Sequence, residues 1–204
     1  VSSSLLVGSS IGLWIGYRGG ILDRVFVRVT DVIAAIPKLP LLLLLAAVDF
    51  DALLPDSPIR RSEFPAIVRI AFVIALLGWT SIARLGRARA IELRTRDHVL
   101  AARALGFSDA RVVVAHILPN AVGPLVVAAT IDFGEVVVYE GMLSFLGLGV
   151  PPPLPSWGAM IARGMEDMRS TPMLVVAPVL STLITILCCN VVGEHLRDRR
   201  AFFR

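Results

Sequence analysis

The chain has a single lysine, Lys38, among 204 residues. That scarcity excludes one common kind of nucleotide chemistry. A phosphate-binding loop of the form G-x-x-x-x-G-K-S/T needs a lysine to reach the phosphates, and Lys38 stands instead between Pro37 and Leu39. Cysteine is nearly as scarce. Cys188 and Cys189 are adjacent in an apolar run, where neighbours on a helix point apart, so a bridge between them is not expected. The three histidines, His98, His116 and His195, have no metal-ligand spacing, and H-E-x-x-H does not occur. No metal, no cofactor and no enzymatic activity is expected of these residues. No internal repeat or low-complexity linker is present, so residues 1–204 read as one domain.

What the chain has in quantity is apolar residues. They make up 56% of it, against about 45–50% in an average soluble domain. The apolar runs are long and continuous rather than alternating, which predicts membrane-spanning helices and not barrel strands. Five spans are expected: residues 5–17, 23–48, 65–83, 121–146 and 173–192. The first is too short to cross a hydrocarbon core of ~30 Å and reads as the end of a cut span, with none of the basic start of a signal peptide. Gly8, Gly12 and Gly16 recur every four residues along it, either as a close-packing face or as flexible small residues. In the second span Pro37 and Pro40 predict kinks, and Arg28 and Asp31 are placed to pair one turn apart.

The stretch 97–120, DHVLAARALGFSDARVVVAHILPN, is a loop with the signals of folded protein. Asp97 is a candidate helix cap, Gly106 a left-handed stop, and Ser108 with Asp109 a second start. Pro119 is expected to end the second helix and Asn120 to cap the next. Val99, Ala102 and Gly106 share one face of the first helix, and Leu100, Ala101, Ala104 and Leu105 spread over the other. A helix apolar nearly all round needs cover on both sides, its own bundle on one and a partner on the other. The second polar loop, 147–172, carries Pro151, Pro152 and Pro153, which predict extended polyproline geometry ahead of a short helix from about Trp157.

Charge orients the spans. Residues 16–28, 84–111 and the tail from Glu194 carry net charges of +2, +4 and +2, whereas 49–64 and 147–172 carry −2 and 0. Basic stretches alternate with acidic or neutral ones, as five successive crossings require. Nineteen arginines beside membrane spans are thus explained by topology, with no nucleic-acid partner. The positive-inside rule places 84–120 and the C-terminus in the cytoplasm. Asp132, Glu135 and Glu140 lie inside the fourth apolar run, where a charge at the bilayer centre costs roughly 2.5–3.5 kcal/mol. They are expected either to line a wet path or to meet a partner on another helix, with Arg69 a candidate for the latter.

Several of these segments together resemble the permease subunits of ABC importers, in particular the dipeptide/oligopeptide/nickel class. That family's coupling loop reads Glu-Ala-Ala, three residues, Gly, nine residues, an apolar residue, any residue, Leu-Pro. Ala101-Ala102, Gly106 and Leu118-Pro119 fit its spacing. Leu100 stands at the usual Glu, and His116 at the apolar position. Residues 16–20 with Asp23, and 144–150 with Pro152, Pro153 and 155–158, resemble further segments of that class. The resemblance implies an all-α bundle in a bacterial inner membrane, with the hairpin 97–120 docking an ATPase and 147–172 facing an external binding protein. It implies as partners a second homologous permease, two ABC ATPase subunits, an extracytoplasmic solute-binding protein and the lipid bilayer. Ala101, Ala102, Gly106, His116, Leu118 and Pro119 would serve ATPase coupling, and Asp132, Glu135 and Glu140 the translocation path. A self-contained ion-coupled carrier or channel using Asp132 and Glu135 is the alternative.

Overall fold

A computed structural model describes residues 1–47 and 64–201, except for the side chains of 64–70, 73, 76 and 197–201. The acidic loop expected at 49–64 therefore lies outside the described residues, but for its last position, as do the side chains of Arg69 and of the tail arginines. Every described element is helical. In chain order they are α1 Ser2–Arg18, α2 Gly20–Ala35, α3 Lys38–Ala47, α4 Phe64–Leu93, α5 Asp97–Ala104 and α6 Asp109–Val112. A π-helical turn Val113–Ile117, α7 Leu118–Phe145, α8 Trp157–Gly164 and α9 Met173–Ala201 complete the chain. Two continuous helices among the described residues, Asp109–Phe145 and Met173–Leu196, are long and apolar enough to cross a membrane. A third counts if α2 and α3 form one broken span.

The second expected span is not one kinked helix. Proline disfavours the helical region in the residue before it, and Ile36 is extended at φ −77°, ψ 126°, so the helix ends and restarts beyond Pro37. Pro40 produces no second break. It sits in the first turn of α3, where backbone N–H groups have no intrahelical partner to lose. The proline run of the second loop also departs from expectation. The Pro152–Pro153 bond is cis, and Leu154 N–H closes a turn on the Pro151 carbonyl at 3.2 Å. The short helix at Trp157 is as expected.

The helices group into two compact units. One comprises 1–36, 77–132 and 191–204. Here the four-residue glycine repeat finds its partner. A side chain at Gly8, Gly12 or Gly16 would strike the carbonyl oxygens of Trp79, Ala83 and Arg87 on α4, so α1 lies directly on that backbone. At the end of this contact Gly19 turns left-handed at φ 67° and α2 begins. Asp23, in its first turn, is held by both Nε and Nη2 of Arg87, the latter at 2.7 Å. Asp31 pairs with Arg84 at 3.9 Å rather than with Arg28. The core of the unit joins Leu13 and Tyr17 of α1, Ile82, Ala90 and Leu93 of α4, and the inner faces of α5 to α7.

The other unit comprises 37–76 and 133–190. Its packing also runs on glycine: a Cβ at Gly158 of α8 would meet the backbone of Gly141 on α7. The apolar residues of α3, α7 and α8 border an open cleft of about 340 Å3. Cys188 and Cys189 are free thiols on α9.

Candidate functional site

The hairpin begins with Arg96, not Asp97, in the capping position, and Asp97 is the first helical residue. Gly106 ends α5 in the left-handed region at φ 80°. Its N–H donates to the Arg103 carbonyl at 3.0 Å, and the Phe107 N–H reaches back to the Ala102 carbonyl at 3.2 Å. This is the paired Schellman closure, which satisfies two carbonyls the helix end would otherwise leave open. Val99 and Ala102 are buried in the core of the unit. Leu100, Ala101, Ala104, Gly106 and Phe107 are exposed, and Leu105 is 76% exposed. The hairpin thus has one face sunk in its own bundle and one bare apolar face.

Four contacts brace it. Tyr17 at the end of α1 donates its hydroxyl to Asp109 Oδ1 at 3.0 Å, and Arg18 Nε lies 3.4 Å from the other carboxylate oxygen. The His116 ring stacks on Phe107 with centroids 5.9 Å apart, and the Arg111 guanidinium lies 5.4 Å from the same phenyl ring. Just upstream, Arg89 and Arg96 pair with Glu92 and keep its carboxyl below the usual carboxylate range, Arg89 contributing most. Neither Phe107 nor the ties to Asp109 was marked by any motif. An aromatic directly after a left-handed glycine was the one available signal.

Pro119 does not end the helix. The chain widens into the π turn Val113–Ile117 and runs on through Pro119 and Pro124 to Phe145. A proline clashes with the carbonyl four residues back and offers it no N–H, and the wider turn accommodates both effects. Asn120 is accordingly no cap: its amide donates to the His116 carbonyl at 2.7 Å. The His116 side chain is engaged by its stacking on Phe107. Leu118 packs against the core, and Pro119 is exposed.

The acids of α7 have distinct surroundings. Asp132 is half-buried. Glu135 is paired with Lys38 at 3.1 Å and accepts a bond from the Tyr139 hydroxyl at 3.4 Å. Glu140 is the hub of the second loop. Its Oε1 accepts from Ser144 Oγ at 2.6 Å and from Ser156 Oγ at 2.8 Å, while Val150 N–H donates to Ser144 Oγ at 3.2 Å. One carboxylate oxygen thus fixes both the start of the loop and the residue that opens α8. Gly8-Ser9-Ser10-Ile11-Gly12 fits the spelling of a serine nucleophile turn, G-x-S-x-G, but Ser10 lies mid-helix in α1. Its Oγ bonds to the Leu6 carbonyl at 2.7 Å, without the strand-to-helix turn that such a nucleophile needs.

Long apolar helices, a broken helix at Pro37 and acids held within α7 define a helical integral-membrane protein. Residues 8–201 match the family described as binding-protein-dependent transport system inner membrane component, and the chain belongs to that family. It is 31% identical over 198 residues to a dipeptide transport system permease protein of Alkalihalophilus pseudofirmus, covering 97% of this chain and 60% of the relative. An oligopeptide transport system permease protein of Bacillus subtilis is 34% identical over 194 residues, covering 95% and 59%. A glutathione transport system permease protein of Pectobacterium atrosepticum is 30% identical over 194 residues, covering 95% and 60%. The chain spans about three fifths of the length of these relatives.

Proposed function

We propose that the chain is a permease subunit of an ATP-driven importer for peptides or a related small solute. Residues 1–204 form one transmembrane domain with five crossings, and residues 84–120 and the C-terminus face the cytoplasm. It works with a second permease, two ATPase subunits and an external binding protein that meets the loop 147–172. Nucleotide binding closes the ATPase pair, the hairpin 97–120 carries that movement into the bundle, and the bundle changes the side to which its path opens. The observation that supports this reading best is the two-faced hairpin. Val99 and Ala102 are sunk in the core while Leu100, Ala101, Leu105, Gly106 and Phe107 lie bare. Exposed leucines on a cytoplasmic loop favour a protein partner, and a φ of 80° at Gly106 lets the chain turn sharply there.

The rival reading, an ion-coupled carrier with Asp132 and Glu135 as ion ligands, is weakened by the Lys38 ammonium already seated on Glu135. The test is Gly106→Asp. Nothing lies within 4 Å of a Cβ at Gly106, and aspartate tolerates the left-handed region better than most residues. The variant is therefore expected in the membrane at normal levels, with the ATPase subunits missing from the purified complex. Undiminished co-purification of the ATPase would refute the docking assignment.

A further inference from the structure

The one lysine of the sequence pairs with an acid 97 positions away, and both are joined to residues that line an apolar cleft. Lys38 opens α3 directly after the Pro37 break, and its ammonium lies 3.1 Å from Glu135 Oε2 on α7. The Tyr139 hydroxyl bonds the same oxygen at 3.4 Å, and Tyr139 also lines the cleft. Leu39, next to the lysine, lines it too, with Leu42, Leu43 and Met142. The cleft, of about 340 Å3, is the scale of a site for one small ligand, and its walls are apolar apart from Tyr139, whose hydroxyl leads to the Glu135 carboxylate.

From this arrangement we infer a subsite for a short zwitterionic peptide, in which Lys38 takes the terminal carboxylate, Glu135 the terminal ammonium and the cleft an apolar side chain. The inference rests on the importer reading above and names the chemistry of its cargo. Three features support it. The two charges are opposite and adjacent, so a ligand carrying both can replace the internal pair without leaving either charge alone. The pair is reachable, its side chains being 39% and 47% exposed. An ion pair that exposed is worth little in itself, so exchanging it for ligand contacts costs little. The choice of lysine where the chain otherwise has nineteen arginines fits as well: a compact ammonium holds a carboxylate as a point charge and lacks the two-pronged grip that would slow release.

The test uses the complete importer, with its partner subunits and binding protein, reconstituted in lipid vesicles. The probes are alanyl-leucine, its N-acetyl form and its C-terminal amide. Each uptake is expressed relative to the unaltered complex with the same probe, so the binding protein's own preference cancels. Glu135→Gln should raise the half-saturating concentration for alanyl-leucine about tenfold or more, the size of one hydrogen bond to a charged group, and leave that of the N-acetyl form unchanged. Lys38→Gln should do the same with the amide as the insensitive probe, and Lys38→Arg should keep the parent preference. An equal loss for all three probes would mark the pair as a structural contact between helices and overturn the inference. Unchanged uptake of all three would overturn it as well, leaving the cleft to lipid chains. Failure of the unaltered complex to take up alanyl-leucine with ATP would bring down the peptide-importer reading itself, a separate and recognisable result.

Discussion

Removing the Glu140 carboxylate should release the second loop without unfolding the bundle. In Glu140→Ala the hydroxyls of Ser156 and Ser144 lose the oxygen they share at 2.8 and 2.6 Å. A hydrogen bond to a charged group contributes roughly 1.5–3 kcal/mol, and the lower end applies because both bonds are only part-buried. Ser144 shares α7 with Glu140, so the Ser156 bond alone opposes opening of α8, by about 1.5 kcal/mol, which at 1.4 kcal/mol per factor of ten is roughly tenfold in opening equilibrium. The backbone contact of Gly158 on Gly141 remains, so α8 should loosen and not detach. Hydrogen–deuterium exchange followed by mass spectrometry on the purified protein reads this directly, at the amides of 157–164. Ser156→Ala removes the same tie from the other side and should give a change of about the same size. Exchange in α8 that stays the same in Glu140→Ala, with other helices also unchanged, would show that the carboxylate does not hold the loop.

Two further substitutions probe the first unit. Gly12→Leu forces a side chain into the Ala83 carbonyl, and overpacking of this kind costs typically 1–3 kcal/mol. The melting temperature in detergent should fall by several degrees, whereas Ser10→Leu on the exposed side of α1 should leave it nearly unchanged. Asp109→Ala removes the acceptor of Tyr17 and the partner of Arg18, both partly exposed, for a loss of about 1 kcal/mol. The expected readout is faster proteolysis within 97–112 at unchanged membrane level, and equal cleavage rates would count against the tether.

The helical class, the hairpin and its left-handed glycine are legible in residue order because each rests on a local preference. Gly106 is stated by its neighbours: an apolar helix before it, Ser108 and Asp109 after it. The glycine repeat names one face of α1 but not α4 as its partner, since spacing records a surface and not what covers it. Pro119 misleads for a physical reason. A proline after a helical run ordinarily ends it, and the π turn that lets the helix pass is a backbone geometry no residue type spells. The Lys38–Glu135 pair and the shared oxygen of Glu140 are equally silent in sequence. Their partners stand 97 and 16 positions off, and opposite charge at such separation predicts nothing without the fold.

A hairpin that transmits force has to be stiffer than the contact it pushes on. In the proposed importer this requirement explains details that docking alone does not. A loop needing only to bind could hang from flexible ends, yet α5 is seated by Val99 and Ala102, and Asp109 is tied to the end of α1. The returning segment has no flexible end either: it passes from α6 through the π turn into α7 with no helix end between them. A helix end there would be a hinge, and a hinge would absorb the displacement. The stack of His116 on Phe107 closes the remaining gap, joining the turn of the hairpin to its returning side. On this argument the residue at position 116 serves transmission through its ring. His116→Phe should preserve transport, and His116→Ala should lower uptake per ATP hydrolysed while leaving ATPase association intact. A His116→Ala complex with unchanged coupling would mean that the stiffness lies elsewhere.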